Sequence, residues 1–137
     1  MLANSFMTPS ALGISEVEFN SLVKVLGMLE RSEIPDDLFT MRRVQHSCRT
    51  PACICGWANY VSAGRAFPLY AKPGLTVFSD RTFAPRWGDL PRPVLELFAY
   101  GGRPGDPVYD ASPSQAAMAL RSFLTRGEAR WAEALAA

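Results

Sequence analysis

The sequence has no apolar stretch near the roughly 18 residues that a membrane-spanning helix requires. Its N-terminal part, MLANSFMTPSALGISEVEF, lacks the basic start and the apolar segment that mark a secretory leader. Only three cysteines are present, and an odd number does not suit a framework of paired disulfides. These absences predict a cytoplasmic protein that does not engage a membrane.

An excess of charge of one sign is also missing, since 14 Lys and Arg residues face 13 Asp and Glu residues, for a net charge of +1. So little net charge argues against sequence-blind nucleic-acid binding and against an acidic mimic of nucleic acid. Hydrophobic residues make up 48% and charged residues 20% of the chain, as in an ordinary globular domain. A chain of 137 residues can therefore fold around its own core without metal or disulfides.

The firmest secondary-structure signals are two capping boxes, at Ser15–Glu18 and at Ser112–Gln115. Each precedes apolar residues at helical spacing, which predicts helices over residues 16–31 and 113–126. Trp131 follows the second helix in a terminal turn. We expect this turn to fold back onto the body, because a large indole is seldom left exposed on a monomer.

Two shorter helices are predicted between these. Thr50-Pro51 has the pattern of an N-cap and first helical position, and it predicts a helix over residues 51–63. A proline pair opens a third helix with the sequence VLELFAY, residues 94–100. A short extended piece at residues 39–43, with a small hairpin or ordered loop within residues 65–90, would supply a minor β element.

These patterns predict a mainly α fold, a compact single domain of about four helices with a minor short β element, and a small α+β fold as the alternative. Residues 1–14 show no periodicity and are predicted to be weakly ordered. Residues 15–137 are predicted to form one globular helical domain.

The most distinctive segment, HSCRTPACICGWANY, holds the single histidine and all three cysteines. Its four potential ligands, His46, Cys48, Cys53 and Cys55, equal the number in a closed zinc site. The spacing argues against zinc, because Cys53 and Cys55 would lie about 200° apart around one helix that begins at Pro51. Zinc is therefore kept only as an alternative, and no cofactor is the favoured prediction.

The same segment supports two other interpretations. Cys53 near a helix start could be a reactive thiol, with Cys48 as its resolving partner and His46 as its base. Alternatively Cys53, Gly56, Trp57 and Tyr60 form one helical face that packs in the core. Core packing is the favoured interpretation, because a small thiol and a glycine let another element approach closely.

CRTPACICGWA resembles the C-G-T-x-A-C-I-A-G-W-A segment of a group of small, mostly uncharacterised proteins from phages, prophages and bacteria. Similar features elsewhere are Phe39-Thr40-Met41, Leu97-Phe98, and Gln115-Ala116 followed by Gly127 and Trp131, so that the likeness covers about residues 15–131. Arg49 stands where that group has glycine, and Cys55 where it has alanine. The second difference removes one ligand from a shared zinc site. The resemblance implies a phage or mobile-element protein and carries no established chemistry.

The chain has no Gly-rich phosphate loop, metalloprotease helix, nucleophile elbow or paired-carboxylate motif. The favoured prediction is a non-enzymatic accessory protein that binds another protein. In its more specific form, the protein inhibits a host defence or regulatory complex. Its binding surface is expected within residues 65–105, because interfaces favour Arg and Trp. The residues predicted to bind the partner are Arg81, Arg86, Trp87, Arg92 and Arg103. The alternatives are the thiol enzyme and a zinc-stabilised interaction module.

Overall fold

A computed structural model of the protein describes residues 5–43, 51–63, 89–99, 103 and 105–137. These residues are mainly helical, which confirms the predicted fold class. The elements in chain order are α1 (Pro9–Leu12), α2 (Glu16–Glu30), α3 (Ile54–Ala63), α4 (Arg92–Leu97), a 3-10 turn (Pro107–Asp110), α5 (Pro113–Arg126) and α6 (Trp131–Leu135). Among the described residues, no helix is both long and apolar enough to cross a bilayer.

Both predicted capping boxes are formed. The Ser15 hydroxyl accepts from the Glu18 amide at 3.1 Å, while the Glu18 carboxylate accepts from the Ser15 amide at 2.8 Å. In the second box the Ser112 hydroxyl accepts from the Gln115 amide at 3.2 Å, and the Gln115 side-chain oxygen accepts from the Ser112 amide at 3.0 Å. Gly127 ends α5 with φ of 84°, a left-handed conformation that glycine adopts at little cost. Local sequence therefore sets both ends of α5 and the start of α2.

The core lies where α2 packs against α3 and α5, and α4 and α6 pack against α5. Each of the two long helices buries one apolar stripe, as the helical spacing predicts. The largest fully buried apolar side chains are Leu22, Val25, Leu26, Ile34, Ile54, Val94, Leu97, Leu120, Phe123 and Leu124. By contrast α3 is enclosed on nearly all sides, since residues 52–59 are all buried.

The helix predicted from Pro51 begins instead at Ile54. In a helix from Pro51 the Ala52 carbonyl would accept from the Gly56 amide, but it accepts from the Thr40 amide at 3.0 Å. The Gly56 amide donates a hydrogen bond to the sulfur of Cys53 instead, at 3.5 Å. The first turn that the Thr50-Pro51 pair predicted is therefore absent, because a tertiary hydrogen bond occupies the Ala52 carbonyl that this turn would use.

The minor β element is not formed as a strand in the described part of the chain. Phe39 and Met41 are buried and Arg42 is exposed, so the predicted alternation is present without a ladder. An isolated bridge at Pro51 is the nearest equivalent. The hairpin or loop predicted within residues 65–90 lies outside the described residues except for its last two positions.

The segment predicted to be weakly ordered is described from residue 5 onward, and there it packs on the body. The Met7 amide donates to the Leu124 carbonyl at 2.7 Å, and Leu12 is buried. Gly13 has φ of 75°, and a Cβ there would lie 2.6 Å from Cγ of Pro91. Only glycine fits this close approach, which joins the end of α1 to the start of α4.

The predicted third helix is shifted toward its prolines, since α4 covers Arg92–Leu97 with Pro91 as its N-cap. Its end comes earlier than predicted because Ala99 adopts φ of 58° and cannot continue the helix. The Gly101-Gly102 pair that was expected to end it lies outside the described residues.

Candidate functional site

Both cysteines that the structure describes are buried in the core. Cys53 directly precedes α3, and its sulfur accepts the hydrogen bond from the Gly56 amide. The thiol thereby satisfies an amide that the helix start leaves unpaired, as a serine does at other N-caps. Cys55 lies in the first turn of α3 and is 2% exposed.

Burial raises the pKa of Cys53, and this outweighs the amides of Gly56 and Cys55, which favour the thiolate. Burial raises the pKa of Cys55 well above its ordinary value, and the neighbouring Cys53 and Glu18 raise it further. A thiolate is the nucleophilic form, so both groups are protonated and shielded near neutral pH. This geometry favours packing rather than thiol chemistry at the two positions.

The remaining members of the predicted cluster, His46 and Cys48, lie outside the described residues. The described ones contain no group of three or more His, Cys, Asp or Glu side chains arranged to hold a metal ion. Because α3 begins at Ile54, Cys53 precedes the helix, and the angular argument against zinc no longer applies. Zinc binding by the four residues stays a prediction.

Two of the five predicted partner-binding residues are described, and both are exposed. Arg92 is the first residue of α4, with a side chain that is 88% exposed and that pairs with Glu96 at 3.2 Å. Arg103 lies just before the 3-10 turn. The other three, Arg81, Arg86 and Trp87, lie outside the described residues.

Arg92 borders a surface groove between α4 and α6, which we call the α4–α6 groove. Its volume is about 680 Å³. Its lining includes apolar side chains of α4, the 3-10 turn and α6, together with charged side chains. The lining residues are Arg92, Leu95, Glu96, Ala99, Asp106, Val108, Glu128, Ala129, Arg130, Trp131 and Ala132. The groove thus combines apolar and charged lining residues.

Trp131 is the largest side chain in the α4–α6 groove. Its indole Nε1 donates to the carbonyl oxygen of Glu96 at 2.9 Å, which fixes the ring against α4. The predicted folding back of the terminal turn is therefore confirmed. The ring remains only partly buried, so one part of it stays available to a partner.

Two residues of the groove have strained backbones. Ala99 and Arg130 adopt φ of 58° and 52°, and in the described part of the chain only Ser32 shares this left-handed conformation among non-glycine residues. Each such residue costs about 1 kcal/mol or more, and such strain concentrates at functional sites. Arg130 is held by Glu128 at 2.6 Å and Glu133 at 3.3 Å. Its hydrogen bond to Glu128 raises the pKa of its guanidinium, which stays charged.

Of the predicted partner-binding residues that the structure describes, only Arg92 lines the α4–α6 groove. Sequence reasoning treated Trp131 only as a side chain that covers the body. Gly127 and a terminal turn that carries Trp131 were predicted, yet the contact between Trp131 and Glu96 joins positions that lie 35 residues apart. Local patterns do not reveal such a pairing.

Comparisons with protein-family models, curated proteins and solved structures found no match for this chain. Its function is therefore inferred from its own residues and their arrangement.

Proposed function

We propose that this protein is a non-enzymatic accessory protein that acts by binding another protein through the α4–α6 groove. The observation that carries the proposal is that a partly exposed Trp131 and the exposed Arg92 line one groove together with apolar residues. Trp and Arg are the residues that most often dominate binding energy at protein interfaces.

Releasing the Arg92 guanidinium from its ion pair with Glu96 costs little free energy. Its ion pair with Glu96 is largely exposed, and such pairs contribute little to stability. The guanidinium can therefore leave Glu96 and pair with a carboxylate of the partner. The strained Ala99 supports the same proposal, because a conformation that costs free energy in the free protein is retained where it shapes a binding surface.

A more specific form of the proposal assigns the protein to phages or mobile elements and makes its partner a host defence or regulatory complex. The support is the resemblance of CRTPACICGWA to small phage and bacterial proteins, together with the lack of a catalytic motif. Binding through the α4–α6 groove would then block a surface that the host complex needs.

Affinity isolation followed by native mass spectrometry tests the proposal. The tagged full chain is isolated from a bacterial host lysate with reductant and without chelator, in parallel with Arg92→Glu and Lys24→Glu. Lys24 is an exposed cation on α2 outside the groove and serves as the matched control. We expect a host protein to be recovered with wild type and Lys24→Glu, and at least about fivefold less with Arg92→Glu.

Two results would count against the proposal: no stoichiometric partner in any host lysate, or equal recovery with all three proteins. The same spectra examine the zinc alternative, since a mass increase of one zinc ion would make His46, Cys48, Cys53 and Cys55 a metal site. The thiol alternative draws no support from Cys53, which is protonated and buried.

A further inference from the structure

The α4–α6 groove has an excess of negative charge, although the chain as a whole has a net charge of +1. Three carboxylates and two guanidiniums line it in the described structure, those of Glu96, Asp106, Glu128, Arg92 and Arg130. Both guanidiniums are already paired with carboxylates, and Arg130 pairs in addition with Glu133, which lies outside the groove lining. The cations of the groove are therefore compensated, and negative charge is left over.

The carboxylate without a cation is that of Asp106. It caps the 3-10 turn, where its Oδ1 accepts from the Val108 amide at 3.0 Å. Asp106 forms no ion pair with any described residue, and the same residues donate no hydrogen bond to its Oδ2. Because its side chain is partly buried, a cation from a partner would be screened less by water than at a fully exposed carboxylate.

Trp131 adds an aromatic ring to the same groove. Its N–H is engaged by the Glu96 carbonyl at 2.9 Å, so the ring can contact a partner only through its apolar edge and its π face. The face of a tryptophan ring attracts cations more strongly than that of tyrosine or phenylalanine. The helix α6 packs against the 3-10 turn that Asp106 caps, so the ring and the carboxylate belong to adjoining elements of the groove.

We infer that the α4–α6 groove receives a basic side chain, arginine or lysine, from a segment of the partner protein. The inference rests on the proposed function, since it names the chemistry of that partner. The cation lies against the Trp131 ring and pairs with Asp106, while neighbouring apolar side chains of the segment pack on Leu95 and Ala99. The carboxylate that pairs with Arg92 is a separate contact of the same partner. A nucleic acid is disfavoured, because the negative groove repels phosphate.

The test is an NMR titration of the isotope-labelled full chain with the capped peptide Ala-Leu-Arg-Leu-Ala. The reporter is the indole signal of Trp131, which is assigned by its loss in Trp131→Phe. Matched peptides carry citrulline, which has the shape of arginine without its charge, or glutamate in place of arginine. We expect saturable shifts of the indole signal, about threefold weaker binding of the citrulline peptide and no binding of the glutamate peptide.

Three variants locate the cation within the groove. Asp106→Asn keeps an N-cap acceptor but removes the charge, and we expect about three- to fivefold weaker binding of the arginine peptide. Asp37→Asn makes the same change at an exposed carboxylate outside the groove lining, and binding should be unchanged. Arg92→Gln releases Glu96 from its ion pair, so the arginine peptide should bind at least as tightly as to wild type.

Several results would overturn the inference. One is the absence of saturable shifts, and another is equal binding of the arginine and citrulline peptides. Equal losses in Asp106→Asn and Asp37→Asn would indicate general charge attraction. Tighter binding of the glutamate peptide would make the occupant acidic. Shifts of the Trp131 signal on dilution without peptide would show that a second copy of this chain occupies the groove.

Failure of this inference is distinguishable from failure of the proposed function. The proposed function fails when no host protein is recovered with the tagged chain. A host protein recovered equally with wild type and Asp106→Asn would leave the proposed function standing and overturn the basic occupant. Unchanged peak dispersion in the unbound variants verifies that each is folded, and the peptide series on wild type does not depend on any variant.

Discussion

Trp131 donates its indole hydrogen to the Glu96 carbonyl at 2.9 Å and thereby ties the terminal helix α6 to α4. The two residues form adjoining parts of the α4–α6 groove, so the same contact stabilises the C-terminus and shapes the surface proposed to bind a partner. Its loss should therefore affect both stability and binding.

Replacing Trp131 with phenylalanine keeps a ring in place but removes the hydrogen bond. We expect the free energy of unfolding to fall by about 1 kcal/mol, because a net intramolecular hydrogen bond contributes about that much. Urea unfolding followed by circular dichroism measures the change. An unchanged unfolding midpoint would show that the bond does not hold α6 in place.

Two serines at the start of α5, Ser112 and Ser114, allow a controlled test of the assigned N-cap. Ser112→Ala removes the hydroxyl that accepts from the Gln115 amide, and we expect a loss of about 1 kcal/mol in unfolding free energy. Ser114→Ala, in the same first turn but exposed, should change stability by less than about 0.5 kcal/mol. Equal losses in the two variants would contradict the assigned cap.

The ion pair between Arg121 and Glu30 should be stronger than the pair between Arg92 and Glu96. It is bidentate and joins α5 to α2, and the Arg121 side chain is 26% exposed, whereas that of Arg92 is 88% exposed. Glutamine replacements in two double-mutant cycles measure both couplings. After allowance for solvent screening at Glu30, we expect about 1 kcal/mol for the first pair and about 0.3 kcal/mol for the second.

Stability should decrease in alkaline solution because of Cys53 and Cys55. Burial raises the pKa of both thiols, so the folded chain retains protons that the unfolded chain releases. The contribution is present below the unfolded thiol pKa of about 8.5 and is lost as pH rises above it. Urea unfolding of Cys48→Ser across pH should show this decline, and replacing both buried cysteines with alanine should reduce it.

Alkylation provides an independent check of the same burial. In Cys48→Ser, iodoacetamide should modify the native protein slowly and the urea-unfolded protein fast, with mass spectrometry as the readout. Rapid modification of native Cys53 at neutral pH would contradict the buried, protonated thiol and restore the thiol-enzyme alternative.

Features set by neighbouring residues could be predicted from the sequence. The capping boxes of α2 and α5 depend on side chains three positions apart, and the apolar stripe of α5 follows from helical spacing. The start of α3 could not be predicted, because the hydrogen bond from Thr40 to Ala52 depends on how distant segments pack. The α4–α6 groove combines both cases: Arg92 was predicted as a binding residue from its residue type, and only the fold brings Trp131 into the same groove.

The central claim is that a partner protein occupies the α4–α6 groove, and a paired alanine substitution tests it most directly. Ala132 lines the groove, whereas Ala136 is exposed beyond it on the same terminal segment. Calorimetric titration of the isolated partner should show about tenfold weaker binding for Ala132→Gln and wild-type binding for Ala136→Gln, since added bulk fills the groove only in the first. Wild-type affinity of a folded Ala132→Gln would contradict the claim.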